Sequence, residues 1–386
     1  MDQTARAERV DGALRRARQV AAARGVAGVV LTRPGPVAWA TAGMNPPIDR
    51  TAGTDVVWLA IGEHSAGIIT TEVEAPRIEA ELRPADLGLG LVATPWWGGE
   101  HGDAMVRAAA DLLGSPPSRL GSDGHPAFGT DLDHDLTAAR LALSEPEQEQ
   151  LHALGLDAAA AVEGALRQWT PGETDWAIAA RIAGAVEAVG ADAPVLLVGG
   201  DERLRRWRHP VAVGAAVRGL VMAVLVARRD GLHVALTRYA STAAPEPVLA
   251  QALAATRAVH REVLAACRPA ATVGSVLTTL DRGYAERGYP KAWTAHYQGG
   301  PIGYGQREFE IAPSQTGSPW WSHPLAAGTA VAWNPSLPGG AKDEDTYLIE
   351  DDAAVPVTDT GQWPMTDDGA GDSAGPARPE VLVVGS

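Results

Sequence analysis

One cysteine, two lysines and two phenylalanines are all that a chain of 386 residues holds of these types. The single cysteine, Cys267, excludes an intrachain disulfide and any zinc site built from several thiolates, and it fits a reducing, cytoplasmic setting. It stands at the end of an apolar helical pattern, so it reads as a small buried hydrophobe rather than a nucleophile. No stretch approaches the roughly 20 apolar residues of a membrane span, and Met1 to Arg18 is charged, without the apolar segment of a secretory signal. Neither export nor a membrane partner is expected. Positive charge is scarce too: the formal net charge of -15 repels phosphate backbones, which argues against nucleic acid as a partner. The one basic run, Arg203 to Arg208, is too short to change that. Two lysines against thirty arginines in an alanine-rich chain read as GC-rich coding rather than as a functional signal.

What is present is the composition of a folded globular protein, 46% hydrophobic and 20% charged. The length suits two domains. Periodicity predicts a helix over 4–24, short strands at Ala27–Leu31, Val56–Ile61 and Gly67–Thr70, and helices near 72–82 and 102–113. A stretch rich in Gly, Pro, Asp and Ser from Gly114 to His134 places the inter-domain region near 120–143. Ser144 and Glu147 have the spacing of a capping box, which opens an alanine-rich helix that Thr170-Pro171-Gly172 ends. A helix over 174–189, strands at Pro194–Val198, Leu220–Ala227 and Leu232–Thr237, and helices near 246–266 and 273–287 come next. Late strands are expected at Ala330–Trp333, Thr346–Ile349 and Ala354–Val357, with Val381–Val384 returning as an edge strand. Asp230-Gly231 between two apolar runs is a hairpin signal. The expected class is mixed α/β, or α+β, with domains over 1–135 and 144–360 and a tail over 361–386.

Four stretches of the second half carry the most specific information. They are Arg208-His209-Pro210, then Leu236-Thr237-Arg238, then His296-Tyr297-Gln298-Gly299-Gly300-Pro301-Ile302-Gly303, and last Trp333-Asn334-Pro335 with Glu344-Asp345-Thr346. In order and spacing they resemble the creatinase, proline-dipeptidase and aminopeptidase-P family, and the flanking helices extend the likeness to roughly 145–360. The resemblance implies a small creatinase-like N-terminal domain and a C-terminal pita-bread domain with a curved, mostly antiparallel sheet. It also implies a homodimer and a small-molecule or short-peptide substrate.

The family's metallopeptidases hold two divalent ions with two aspartates, one histidine and two glutamates, because bridging carboxylates offset the repulsion of cations about 3.5–4 Å apart. Aligned on Thr237-Arg238, the two aspartates fall at Val224 and Ala235. The pattern H-x-x-G-H-x-x-G falls on 296–303, so Gly300 stands where the ligand histidine would be, while His296 is kept. Asn334 takes the place of one glutamate, and Glu344 alone matches a ligand carboxylate. Neither metal nor cofactor is therefore expected. A slip of the hairpin register would turn Asp230 or His233 inward, which their apolar neighbours oppose.

Creatinase hydrolyses a C–N bond without metal, and the resemblance gives His209 its proton-transfer role. An imidazole, with an ordinary pKa of about 6.5, suits that task near neutrality. Glu344 would face the same pocket, with His296 and Glu308 orienting the substrate or polarising its carbonyl and Asn334 contributing to binding. Arg238 or Arg307 would clamp a carboxylate. Arg50, in the stretch Asn45 to Arg50, is the candidate lid residue from a neighbouring subunit. Each has a plainer role open to it: a core hydrogen bond for His209, a binding loop for His296, an ion pair with Lys342 for Glu344, a mutual pair for Arg307 and Glu308, and a strand-end brace for Arg238. The expected function is a metal-independent, creatinase-like hydrolase. A catalytically inactive ligand- or partner-binding relative and a metal-dependent Xaa-Pro aminopeptidase or dipeptidase are the alternatives. Trp96-Trp97 and Trp320-Trp321 suit a pocket or an interface. The G-x-S-x-G match at 371–375 lacks a strand-turn-helix context, and Asp131, Asp133, His134 and Asp135 read as residues that a helix N-terminus attracts.

Overall fold

The computed structural model describes residues 3–43, 48–50, 53–54, 56–97, 102–366 and 375–384. Two compact units divide it: Met1–Pro146 with Asp230–Leu232, and Glu147–Arg229 with His233–Ser386. In the first, β1 (Val29–Leu31), β2 (Trp58–Ile61), β3 (Ala66–Thr71), β4 (Gly90–Thr94), β5 (Gly121–Ser122) and β6 (Thr130–Asp131) form a mixed sheet in the order β4-β3-β2-β1-β5-β6. The helix Gln3–Arg24 buries Val10, Ala13, Leu14, Ala17 and Ala21, a stripe at helical spacing. On the helix Asp103–Leu113, Met105 and Ala109 join Val30, Trp58, Ala60 and Ile69 in one apolar cluster. The segment expected as a helix over 72–82 is a short turn, Ala75–Arg77, that widens over Ile78–Leu82. Arg83, left-handed at φ +50°, ends it just before Pro84, where a helical residue would clash with the proline ring. At the first turn of the helix Asp133–Arg140, Asp133 pairs with Arg33 and Asp135 with Arg24, which accounts for these acids without a metal.

The second unit contains β7 (Asp192–Gly200), β8 (Leu220–Arg229), β9 (Leu232–Ser241), β10 (Gly299–Ile302), β11 (Ala330–Trp333), β12 (Ser336–Leu337), β13 (Ala341–Lys342), β14 (Tyr347–Ile349), β15 (Ala354–Pro356) and β16 (Val381–Val383). One sheet runs β16-β9-β8-β7, another β10-β11-β14-β15, and β12 with β13 forms a two-stranded ribbon. The β8–β9 turn places Asp230 at φ +51° and Gly231 at φ +81°, the pair of left-handed residues that a tight hairpin needs. Val381–Val383 returns as the expected edge strand, parallel to β9. The helices Pro247–Ala266 and Val273–Glu286 bury Val259, Val263, Val276, Leu277 and Leu280 in a core shared with Met222, Val224, Val331, Trp333 and Tyr347.

Cys267 lies wholly inside that core and accepts a hydrogen bond from Trp333 Nε1 at 3.2 Å. Burial pushes its thiol up to about 12, so it stays protonated and inert. Among the described residues, no helix is long and apolar enough to cross a membrane.

Candidate functional site

Glu344 follows the β12–β13 ribbon, and every lone pair of its carboxylate faces a donor. Lys342 Nζ lies 2.9 Å from Oε2, which also accepts from Thr237 Oγ1 at 3.0 Å. Oε1 accepts from Asn334 Nδ2 at 3.2 Å and from Arg307 Nη2 at 3.3 Å. Burial by itself would raise the carboxyl pKa; the Lys342 and Arg307 charges overcome that and hold it down at about 2. Lys342 is 8% exposed, so one of the chain's two lysines is a buried ammonium bound to this carboxylate.

The flanking acids are engaged elsewhere. Asp343 pairs with Arg378 Nε at 2.8 Å and with His260 Nδ1 at 2.9 Å. Asp345 accepts from Arg238 Nη1 and from Arg378 Nη2, both at 2.8 Å. Arg378, 0% exposed, also bonds the Tyr347 hydroxyl, so the C-terminal segment ties down the backbone that presents Glu344.

A second group gathers at Ser336 Oγ. Arg208 Nη1 donates to it at 2.5 Å, and it is hydrogen-bonded to His296 Nε2. The His209 and His296 rings lie 6.0 Å apart, nearly perpendicular. Ser336 and Lys342 face each other across the ribbon as Cα partners, which brings the two groups together. Burial, then Lys342 and Arg208, push His296 down to about 4, and burial with Lys342 lowers His209 as well. Near neutrality both imidazoles are therefore free bases, and the His296 Nε2 atom and the Ser336 hydroxyl share one hydrogen bond.

The positions that the family resemblance aligns with metal ligands lie in the second unit. Val224 is buried in β8 opposite Leu197, and Ala235 is buried in β9, its amide donating to Thr346 Oγ1 at 2.7 Å. Gly300 has φ +145°, a backbone conformation that strains any side-chain-bearing residue, histidine included. Asn334 brings an amide whose Oδ1 is buried without a hydrogen-bond partner. The set amounts to one carboxylate already saturated by protein cations, one amide and three side chains with no donor, and it does not fit two divalent ions. Among the described residues, no group of three or more His, Cys, Asp or Glu is placed to hold a metal.

Of the residues singled out from sequence, His209, His296, Glu344, Arg307 and Asn334 come together around the ribbon. Arg238 is placed differently. At 1% exposure it is spent on Asp345, Glu163 and the carbonyls of Thr237 and Thr358, which supports the bracing role rather than a substrate clamp. Glu308 accepts the Gly305 amide at 3.0 Å, within the turn that carries Arg307. Arg50 is exposed in the first unit, while Asn45, Pro46 and Pro47 lie outside the described residues, as do 371–374 of the G-x-S-x-G match. His233 is buried with Nδ1 3.0 Å from the Gly303 carbonyl, and Asp230 occupies the turn, so neither supplies a missing ligand. Trp96 and Trp97 are exposed; Trp320 stacks on Phe309 with ring centroids 4.0 Å apart. Sequence reasoning named neither Arg208, Thr237 nor Ser336 as site residues, although each lies within or one residue beyond a stretch that carried the resemblance.

Residues 149–355 match the model of metallopeptidase family M24. No curated protein matches the chain. Among solved structures, it is similar to dipeptidase PepE from Mycobacterium ulcerans, with TM-score 0.75 and 21% identity over 100% of this chain and 99% of that one. It is similar to the prolidase from Pyrococcus horikoshii OT3, with TM-score 0.71 and 17% identity over 92% of this chain and 98% of that one. The N-terminal domain of FACT complex subunit SPT16 from Cicer arietinum matches with TM-score 0.65 and 12% identity over 94% of this chain and 97% of that one. At such identities these likenesses speak for the fold alone. The family match spans more than half of the chain, and the chain therefore belongs to metallopeptidase family M24, with its pita-bread fold.

Proposed function

We propose that this family member is a metal-independent, creatinase-like hydrolase that acts at a C–N bond of a small polar substrate. The observation that carries the reading is the pairing of the His209 and His296 rings, 6.0 Å apart and both held below the ordinary imidazole pKa, beside a carboxylate whose acceptor sites are filled by Lys342, Arg307, Thr237 and Asn334. His209, solvent-accessible and held below its ordinary pKa, accepts a proton from a water that attacks the substrate's carbonyl or guanidino carbon. As the C–O bond forms, charge develops on the carbon's heteroatom, and the Arg208 guanidinium, which pairs with a hydroxyl rather than a carboxylate, stabilises it. The C–N bond then breaks, and His209 returns the proton to the leaving nitrogen. His296, fixed through Ser336, positions the substrate, and the Asn334 Oδ1 atom accepts an N–H from it.

The test is turnover of small guanidino, amide and amino-acid compounds by the intact protein and by His209→Ala. The proposal expects a loss of 10²-fold or more in kcat with the fold intact, and an unchanged rate would remove His209 from the role. A second reading, ligand or partner binding without turnover, is favoured by the same saturation of Glu344. Thermal stabilisation by a ligand that is never converted would select it.

A further inference from the structure

We infer that the pocket has the opposite polarity to a metal centre: Arg208, with His209 and His296 beside it, forms a site for a small oxyanion, a carboxylate or a phosphate. This rests on the metal-free reading of the pocket but not on its being catalytic. The first support is the charge balance along one short segment. Arg203 pairs with Asp175 at 2.7 Å, Arg205 with Glu246 at 2.9 Å and Arg206 with Glu202 at 2.9 Å. Arg208 breaks the pattern: its partner is the Ser336 hydroxyl, and among the described residues no carboxylate lies within ion-pair distance. In a chain of net charge -15, a half-buried guanidinium without an acid is a departure that calls for an anion from outside.

Nearby carboxylates are in no position to serve it. Asp343 and Asp345 are held by Arg378, His260 and Arg238, and Glu344 already answers Lys342 and Arg307. Arg307 is further shared with Glu310 at 3.8 Å, which leaves Arg208 as the uncompensated charge. The geometry suits an oxyanion. A planar guanidinium offers a fork of N–H donors, one of which fixes Ser336 and thereby His296, while His209 lies across from His296 at 6.0 Å between ring centroids. A cavity of about 210 Å³, lined by Trp293, His296, Tyr297, Gln298 and Ile311, opens at His296 and has room for the apolar remainder of a small molecule.

The experiment is a thermal-shift and calorimetric titration of the full chain with sodium phosphate and with sodium acetate, at ionic strength held constant with sodium chloride. A site saturates at millimolar anion, whereas general salt exclusion keeps rising with concentration. The inference expects a saturable shift with at least one anion, weakened tenfold or more in Arg208→Met and retained in Arg205→Met. Phosphate alone acting would assign the site to a phosphoryl group; acetate acting as well would assign it to carboxylates. No saturable response to either anion, or equal binding by Arg208→Met, would overturn it. Anion binding without turnover of any C–N substrate would keep the site and remove the catalytic reading, so the two fail separately.

Discussion

Glu344 and Lys342 are a buried pair whose mutual attraction has to exceed the cost of taking both charges out of water. The surrounding donors make that balance favourable, because Thr237, Asn334 and Arg307 complete the carboxylate's hydrogen bonds. Lys342→Met should therefore destabilise the protein by about 3 kcal/mol, as removal of one partner leaves the other charge exposed to the core. Adding Glu344→Gln should recover part of the loss, and a double-mutant cycle in urea checks both. The pH dependence follows from the same residues. Glu344 is depressed to about 2, so its contribution is present above the unfolded value of about 4.5 and is lost as pH falls towards 2. His296 is depressed to about 4, so the unfolded chain takes up this proton first and stability falls between about pH 6.5 and pH 4. His296→Gln, which cannot charge, should show a shallower fall in that upper window; an unchanged slope would refute the placement of His296. From sequence, the Lys342–Glu344 pair was legible as the plainer role open to Glu344, because the two residues stand two positions apart. Arg307 as a second counter-charge was not, because it reaches Glu344 across 37 positions.

At the scale of elements, the short stretch from β12 to β14 depends on the far end of the chain. Arg378 joins Asp343, Asp345 and Tyr347 from the segment that leads into β16. Arg378→Ala should cost about 3–5 kcal/mol, since two buried carboxylates lose a partner. Hydrogen exchange should show Val381–Val383 losing protection in that variant. Arg378→Lys should recover little, because a single ammonium cannot reproduce the fork that holds both acids. The strands of this region were largely legible: Ala330–Trp333 and Val381–Val383 emerge where short apolar runs stood. The tie between them was not, because Arg378 follows a stretch rich in glycine and aspartate and bonds residues 33 and 35 positions away. Arg238 illustrates the same limit. Its motif position is beside the site, yet only the packing of Glu163 and Asp345 around it shows that its charge is consumed internally.

For the molecule as a whole, membership of metallopeptidase family M24 and a pocket whose aligned ligand positions do not fit two divalent ions have to be held together. The resemblance was visible because four stretches stand in the family's order and spacing, with helical segments flanking them. Nothing in those stretches says what chemistry the pocket carries, since that depends on which charges converge in space. Elemental analysis of the purified, untagged protein, paired with cleavage of Xaa-Pro peptides with and without added Mn²⁺, tests the metal-free pocket most directly. The account predicts metal far below one ion per chain and no cleavage in either condition, whereas about two tightly bound ions per chain with manganese-stimulated cleavage would contradict it.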